Sequence, residues 1–388
     1  MQRRPLSAAE FSREVGGRSG RRSTGYEEAM TAEALQARVR KFPCENCGAD
    51  LRWEPGVTSL RCEYCGFKKE VARSGDAIRE KSVDAALRAP RDLGWGAERK
   101  VIVCKRCGAH TTLDPLVSAS SCAFCGTTAV VEAPADSKVV RPEGLLPFRV
   151  TRDSALQSFR NWLHGLWLRP NDLKSSSRMT AIQGAYIPFW TFDAATNSWW
   201  TAEAGYYYYV EVGSGQNRHR EQRVRWEPAS GQLEKFFDDV PVPASRGLDS
   251  SLCRDIEPYP TADLTPYDPS YLSGFLAEEN AIDLPEALES AKERMRNEIQ
   301  SACASEVPGD THRNLQVNTT FSALAYKNAL LPVWIAAYDY RGKPYRFLVN
   351  GVTGKVSGNA PWSWIKVTLT IFAVLMVVLI ILYLAGQS

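Results

Sequence analysis

The chain has 388 residues, 44% hydrophobic and 23% charged, with a formal net charge of +3. This composition excludes a largely disordered protein and supplies apolar residues for two or three compact units, since domains commonly run to about 100–200 residues. The near balance of charge excludes a molecule that binds nucleic acid through net charge alone, so any such binding needs a local patch.

Residues 1–40 read as a flexible basic tail, with Arg3, Arg4, Arg13, Arg18, Arg21 and Arg22 against Glu10 and Glu14 among Gly and Ser. The tail lacks the apolar core of a secretory signal. Its Arg and Ser content also fits a transit peptide, but a solvated tail is the preferred reading.

Two cysteine units follow, expected at residues 41–70 and 101–133. Eight of the ten cysteines fall in four CxxC pairs: Cys44 and Cys47, Cys62 and Cys65, Cys104 and Cys107, Cys122 and Cys125. In each unit 14 residues separate the two pairs, and the 23-residue stretches that begin at Cys44 and Cys104 match at nine positions. The units are therefore an internal repeat. A CxxC turn presents two sulfurs to one cation, and a hairpin of this length returns the second pair, which is the pattern of a four-thiolate zinc ribbon. Gly48, Gly66, Gly108 and Gly126 each follow a pair, where the missing Cβ lets backbone amides turn toward the sulfurs.

Disulfides, an iron centre and redox chemistry are the competing uses of such pairs. Without a secretion signal, reduced thiolates favour zinc, and all eight cysteines are expected as ligands of two structural zinc ions. Four thiolates close the coordination sphere, so no catalysis is expected there. Cys253 and Cys303 stand alone and read as small buried residues, and His110 is not needed as a ligand.

Between the units, residues 71–100 read as a linker with room for one short helix. Residues 134–360 form an expected aromatic-rich α+β domain. Leu156, Phe159, Leu163 and Leu166 predict a helix capped by Thr151 or Asp153, and Leu284, Leu288, Ala291, Met295, Ile299 and Ala302 predict a longer one over 282–303. Aromatic segments at 185–200, 204–212 and 220–237 predict antiparallel strands, and turns are expected at 341–343 and 350–354. Ile187-Pro188-Phe189-Trp190 and Leu331-Pro332-Val333-Trp334 share a signature that suggests a duplicated unit. Tyr206–Tyr209, near Trp199 and Trp200, would suit a base-stacking platform. A strand with both faces covered fits them better. Asp238 and Asp239 would need a histidine partner to suggest catalysis. No phosphate loop, nucleophile elbow or HExxH helix is present.

Val367–Ala385 is 19 residues without a charge, long enough to cross about 30 Å of hydrocarbon. Trp362, Trp364 and Lys366 lie at its N-terminal border. A single tail-anchoring transmembrane helix over 364–385 is expected, with the N-terminal domains in the cytoplasm. The fold class is thus small zinc ribbons (β), an α+β domain with antiparallel sheet, and one C-terminal transmembrane helix.

The segments CENCGADLRWEPG with CEYCG, CKRCG with CAFCG, RPEGLLPF, GAYIPFWTFDA, FFDDVPVPAS, PYDPSYLSGF and LLPVWIAAYDYRGKPYRFLVNGVTGKVSG resemble a family of uncharacterised bacterial tandem zinc-ribbon membrane proteins. The resemblance spans nearly the whole chain after residue 40. Members are often labelled primosomal (replication-restart) helicase-like or as carrying a general-transcription-factor-type zinc ribbon. It implies the eight cysteines as zinc ligands and a bacterial inner-membrane location, and it supplies no catalytic residues. The helicase label fits poorly, because the chain has no GxxxxGK[ST] loop.

Three functions follow as expectations. The first is a cytosol-facing membrane adaptor whose ribbons bind a protein partner without catalysis. The second is a membrane-tethered nucleic-acid-binding protein using Lys105 and Arg106 on phosphates; Glu45 and Glu63 argue against it. The third is an enzyme built on the α+β domain.

Overall fold

The computed structural model describes residues 42–57, 59–71, 78–88, 100–113, 122, 124, 127, 130–134, 140–172, 178–179, 182–215, 218–341 and 343–385. The expected basic tail and part of the expected linker lie outside them.

The first cysteine unit is a three-stranded antiparallel sheet of β1 (Leu51–Trp53), β2 (Ser59–Cys62) and β3 (Lys68–Glu70). β4 (Lys81–Ser82) and helix α1 (Val83–Arg88) come next, within the stretch read as a linker with room for one short helix. The second unit supplies β5 (Lys100–Cys104), β6 (His110–Leu113) and β7 (Val130–Pro134), with β5 antiparallel to both neighbours. β8 (Gly144–Leu145) leads to helix α2 (Arg152–Gly165), and β9 (Arg178–Met179) leads to the long strands β10 (Gln183–Val212) and β11 (His219–Pro243). Helix α3 (Ser250–Asp255), β12 (Thr265–Pro266), β13 (Leu276–Glu278) and helix α4 (Leu284–Glu306) precede β14 (Thr311–Tyr340), β15 (Lys343–Asn350), β16 (Val356–Gly358) and helix α5 (Trp364–Ala385).

Local sequence accounts for the helices. Thr151 caps α2 by accepting from the Ser154 amide at 3.2 Å, and Ala155, Phe159 and Leu163 are its buried stripe. Asp283 caps α4 in the same way at 3.1 Å from the Glu286 amide. Pro285 sits in the first turn of α4, where it forfeits no hydrogen bond, and Leu284, Leu288, Ala291, Met295 and Ile299 are buried.

The body is built around β10 and β14, each 30 residues long, with the 25-residue β11 on the other side of β10. The aromatic segments at 185–200 and 204–212 are therefore one strand. Thr201, Ala202 and Glu203 between them do not interrupt it, because they stay paired with Ser230, Ala229 and Pro228 of β11; within the first segment Ser198 Oγ meets Thr319 Oγ1 at 2.9 Å and Thr196 donates to the Lys235 carbonyl at 2.7 Å.

Three register shifts bend this sheet, and each coincides with a non-glycine residue at positive φ: Asp239 (49°) on β11, and Ala323 (50°) and Asn314 (52°) on β14. An extra residue in a ladder leaves an amide without its cross-strand acceptor. At the first bulge the Asp193 carboxylate supplies that acceptor, taking the Asp239 amide at 2.6 Å.

Buried side chains alternate across the sheet. Tyr186, Trp334 and Phe347 face one core, which also holds α2 residues and Leu51, Trp53, Leu60, Cys44 and Cys62 of the first unit. Ala185, Ile187, Val333, Ile335 and Leu348 face the opposite core, with Leu252 and Cys253 of α3 and with Cys104, Ala109, Cys122 and Phe124 of the second unit. The two cysteine units thus pack on opposite faces of one sheet. The second unit is also continuous with that sheet, because β6 pairs with β13 and β13 with β10. Trp190, Phe192 and Trp200 pack with α4 in a third cluster farther along β10.

The two apolar-Pro-apolar-Trp signatures are hydrogen-bonded neighbours, with Ile187 opposite Leu331 and Tyr186 opposite Pro332. Each lies on the first long strand of a helix–strand–strand run, α2-β10-β11 and α4-β14-β15.

The expectation that Tyr206–Tyr209 lie in a strand with two covered faces needs correction. Pairing with β14 ends at Gly205 opposite Thr311, so beyond it the β10–β11 hairpin runs without a third strand, and Tyr207, Tyr208 and Tyr209 are exposed. Trp199 is exposed and Trp200 buried, as alternation requires.

α5 is long and apolar enough to cross a membrane, and no residue of its apolar window is fully buried.

Candidate metal centres

The CxxC turns share one backbone pattern. In the first, the Cys44 amide donates to the Ala49 carbonyl at 2.7 Å and the Gly48 amide to the Cys44 carbonyl at 2.8 Å. The same pair of bonds recurs from Cys62 to Phe67 with Gly66, and from Cys104 to Ala109 with Gly108. Gly48, Gly66 and Gly108 all have φ of 74°, a left-handed conformation that a Cβ would strain. Sequence thus dictates each turn locally, and the hairpins bring the turns together.

In the first unit Cys44, Cys47, Cys62 and Cys65 come together with all four sulfurs within 4.8 Å of one another. Cys44 Sγ lies 3.5 Å from Cys65 Sγ, and Cys47 Sγ 3.5 Å from Cys62 Sγ. Four sulfurs each about 2.3 Å from a central ion would have tetrahedral edges of roughly 3.8 Å, whereas a disulfide would need about 2.0 Å. The donor set and spacing therefore fit a cation and not a pair of bridges.

Proton sharing within the group divides the thiols. The Phe67 amide, aided by Cys44 and Cys47, pulls Cys65 down to about 6. The Ala49 amide lowers Cys47, yet hydrogen bonds to Cys62 and Cys65 outweigh it and push the thiol up to about 12. A bound cation would replace those shared protons.

In the second unit Cys104, Cys107 and Cys122 form the corresponding group, with Cys107 and Cys122 sulfurs 3.7 Å apart and the Phe124 amide 3.4 Å from the Cys122 sulfur. Cys125, the fourth ligand expected from the sequence, lies outside the described residues, as does Gly126. His110 belongs to neither sulfur group; its carbonyl accepts from the Glu279 amide at 3.0 Å. Cys253 and Cys303 are both buried, and burial raises both thiols.

The repeated aromatic in the second turn of each unit has two fates. Tyr64, between Cys62 and Cys65, is 85% exposed, while Phe124, between Cys122 and Cys125, is 1% exposed within the core of the sheet. Phe124 seats the second unit on the body. The first unit is seated from its other side, where Trp53 packs at a tilt against Tyr271 with ring centroids 4.5 Å apart and Ser273 Oγ donates to the Leu51 carbonyl at 2.6 Å. Its outer surface stays open. There Glu45 pairs with Lys69 at 2.8 Å and Glu63 with Arg52 at 3.2 Å.

Among the described residues Asp239 pairs with no histidine. It meets Lys327 at 2.8 Å, beside Glu80, which lies 3.2 Å from the same ammonium. Asp193, 3% exposed, is pushed up to about 7, first by burial and then by the neighbouring carboxylates of Glu80 and Asp239. Burial likewise raises Glu278, beneath the second unit, to about 8. Sequence reading missed Asp193, Lys327 and Glu278. An acid embedded in the apolar run 185–194 was the available signal for Asp193; nothing local marks the other two.

The chain is 30% identical over 345 residues to "Uncharacterized protein YdjG" of Bacillus subtilis (strain 168), an alignment covering 85% of this chain and 92% of the relative. The chain belongs to the YdjG family. No protein-family model and no solved structure matches it. Membership in the YdjG family links most of the chain by descent and brings no activity with it, since the relative's name states none.

Proposed function

We propose that the chain is a membrane-anchored, cytosol-facing adaptor, with two structural zinc ions shaping ribbons of which the first binds a protein partner. The observation that carries this reading is Tyr64. A large aromatic 85% exposed at the tip of a turn fixed by two backbone hydrogen bonds is what a protein-binding hot spot requires: apolar area offered at low entropic cost. Its repeat partner Phe124 is used for packing within the chain, so exposure of Tyr64 is a difference between two copies of one motif.

The zinc assignment rests on the sulfur spacing and the all-thiolate donor set. The orientation rests on the Trp362, Trp364 and Lys366 border and on the need for reduced thiolates. Zinc here holds shape, and partner binding involves no chemistry at the metal.

Capture of the full-length chain from membranes, with and without nuclease, tests the reading. Proteins retained after nuclease and lost on Tyr64→Ala support the adaptor. Nucleic acid captured with the chain, released by rising salt and unaffected by Tyr64→Ala, would replace it with the tethered nucleic-acid reading.

A further inference from the structure

The junction between α5 and the body is a built contact and not a free hinge. Lys366, at the border of the apolar run, folds back so that Nζ donates to the carbonyls of Trp167 at 2.9 Å and Arg169 at 2.7 Å. The Ser363 amide donates to the Leu168 carbonyl at 3.0 Å, and the Arg169 guanidinium lies 3.7 Å from the Trp362 ring centroid. Three hydrogen bonds and one cation–ring contact thus hold the turn after α2 against the foot of α5. Lysines at such borders ordinarily reach toward the headgroups, whereas this one is committed to the turn.

The turn carries its own apolar surface. Trp167 is 66% exposed and so offers a large apolar ring to its surroundings. Beside it an open notch of about 410 Å³ is lined by Leu168, Trp362, Trp364, Val367, Thr370 and Ile371, with almost no polar surface. Val367, Thr370 and Ile371 are one face of the first two turns of α5, so the notch reaches about 10 Å along the helix beyond Trp364. Water there would find few hydrogen-bond partners, since the Thr370 hydroxyl already donates to the Lys366 carbonyl. Any other protein entering would have to do so at the depth where α5 itself meets hydrocarbon.

We propose that the turn Leu166–Arg169 is a second membrane contact: Trp167 and Leu168 enter the interface of the phospholipid bilayer that α5 crosses, an acyl chain fills the notch, and the body is held at a fixed orientation to the membrane. The proposal rests on the reading of α5 as a span. Tryptophan rings suit this depth because an apolar body and one N–H match the boundary between chains and headgroups. One span alone would leave the body free to swivel; a second contact off the helix axis removes that freedom.

The test uses the full-length chain and its Trp167→Phe variant, each reconstituted in phosphatidylcholine vesicles with ordinary or 6,7-dibrominated acyl chains, with carbonate extraction of the same vesicles. Subtracting the two emission spectra isolates Trp167 among the 11 tryptophans. The expected result is a Trp167 emission quenched at least two-fold by the brominated lipid in chains that resist carbonate. Unquenched Trp167 emission in carbonate-resistant chains overturns the second contact and leaves the span intact. Chains released by carbonate overturn the span reading, and the proposal with it.

Discussion

Tyr64 and Phe124 occupy equivalent places in a repeated motif, and their packing separates what each can do. Phe124 lies in the core between the second unit and the central sheet, so Phe124→Ala is expected to cost about 3–5 kcal/mol, read as a large fall in melting temperature of the full chain. Tyr64→Ala removes a side chain that touches little, and a change within about 0.5 kcal/mol is expected in the same measurement. Equal losses at the two positions would contradict the asymmetry on which the proposed function depends. Asp193 gives a second test. Its folded value near 7 lies above the ordinary carboxyl value of about 3.9, so below pH 4 it is protonated in both states and contributes no slope. Between about pH 4 and 7 the unfolded chain releases that proton while the folded chain keeps it. Stability therefore falls as pH rises, by at most about 1.4 kcal/mol per unit, and levels off above 7. Asp193→Asn keeps an acceptor for the Asp239 amide and removes the titration. Melting temperatures between pH 5 and 8 should fall less in the variant; an unchanged pH dependence would rule this account out.

Among elements, α4 joins local sequence to tertiary structure most plainly. Its apolar stripe predicts a helix, its Asp283 cap sets the start, and Trp190, Phe192 and Trp200 of β10 give that stripe a surface to cover. Asp283→Ala leaves amides of the first turn without their acceptor, and a loss of about 1 kcal/mol is expected from chemical denaturation. The long strands were less legible. Thr201–Glu203 resemble a break when read alone, yet they lie within β10, because β11 and β14 pair with it on either side. The bulges at Asp239, Asn314 and Ala323 carry little local signal: Asp and Asn tolerate a left-handed backbone wherever they occur, and Ala323 announces nothing. Each accompanies a register shift between β10 and the strand beside it, a property of the pairing and not of the local sequence.

For the whole molecule, the cysteine units behave as parts of the body. Cys44 and Cys62 lie in one core of the central sheet, and Cys104 and Cys122 in the other. Metal removed by a strong chelator should therefore lower the temperature of one cooperative unfolding transition of the full chain in detergent, and not melt two small domains beneath an unchanged third. Calorimetry with and without chelator decides between these. Metal analysis of the untreated chain is expected to return two zinc ions, and about one after Cys44→Ser.

Sequence alone determined the sulfur-bearing turns, the two capped helices and the apolar C-terminal helix. Each depends on interactions within a few residues: a CxxC with glycine at left-handed φ, a cap three residues before its amide, an uninterrupted apolar run. Tertiary structure decided that the repeated units lie on opposite faces of one sheet, that one knuckle aromatic is covered and the other open, and that Lys366 turns back onto residues nearly 200 positions earlier. Such outcomes depend on which distant surface reaches a side chain first. Two copies of one motif carry the same local pattern and cannot say which of them another part of the chain will bury.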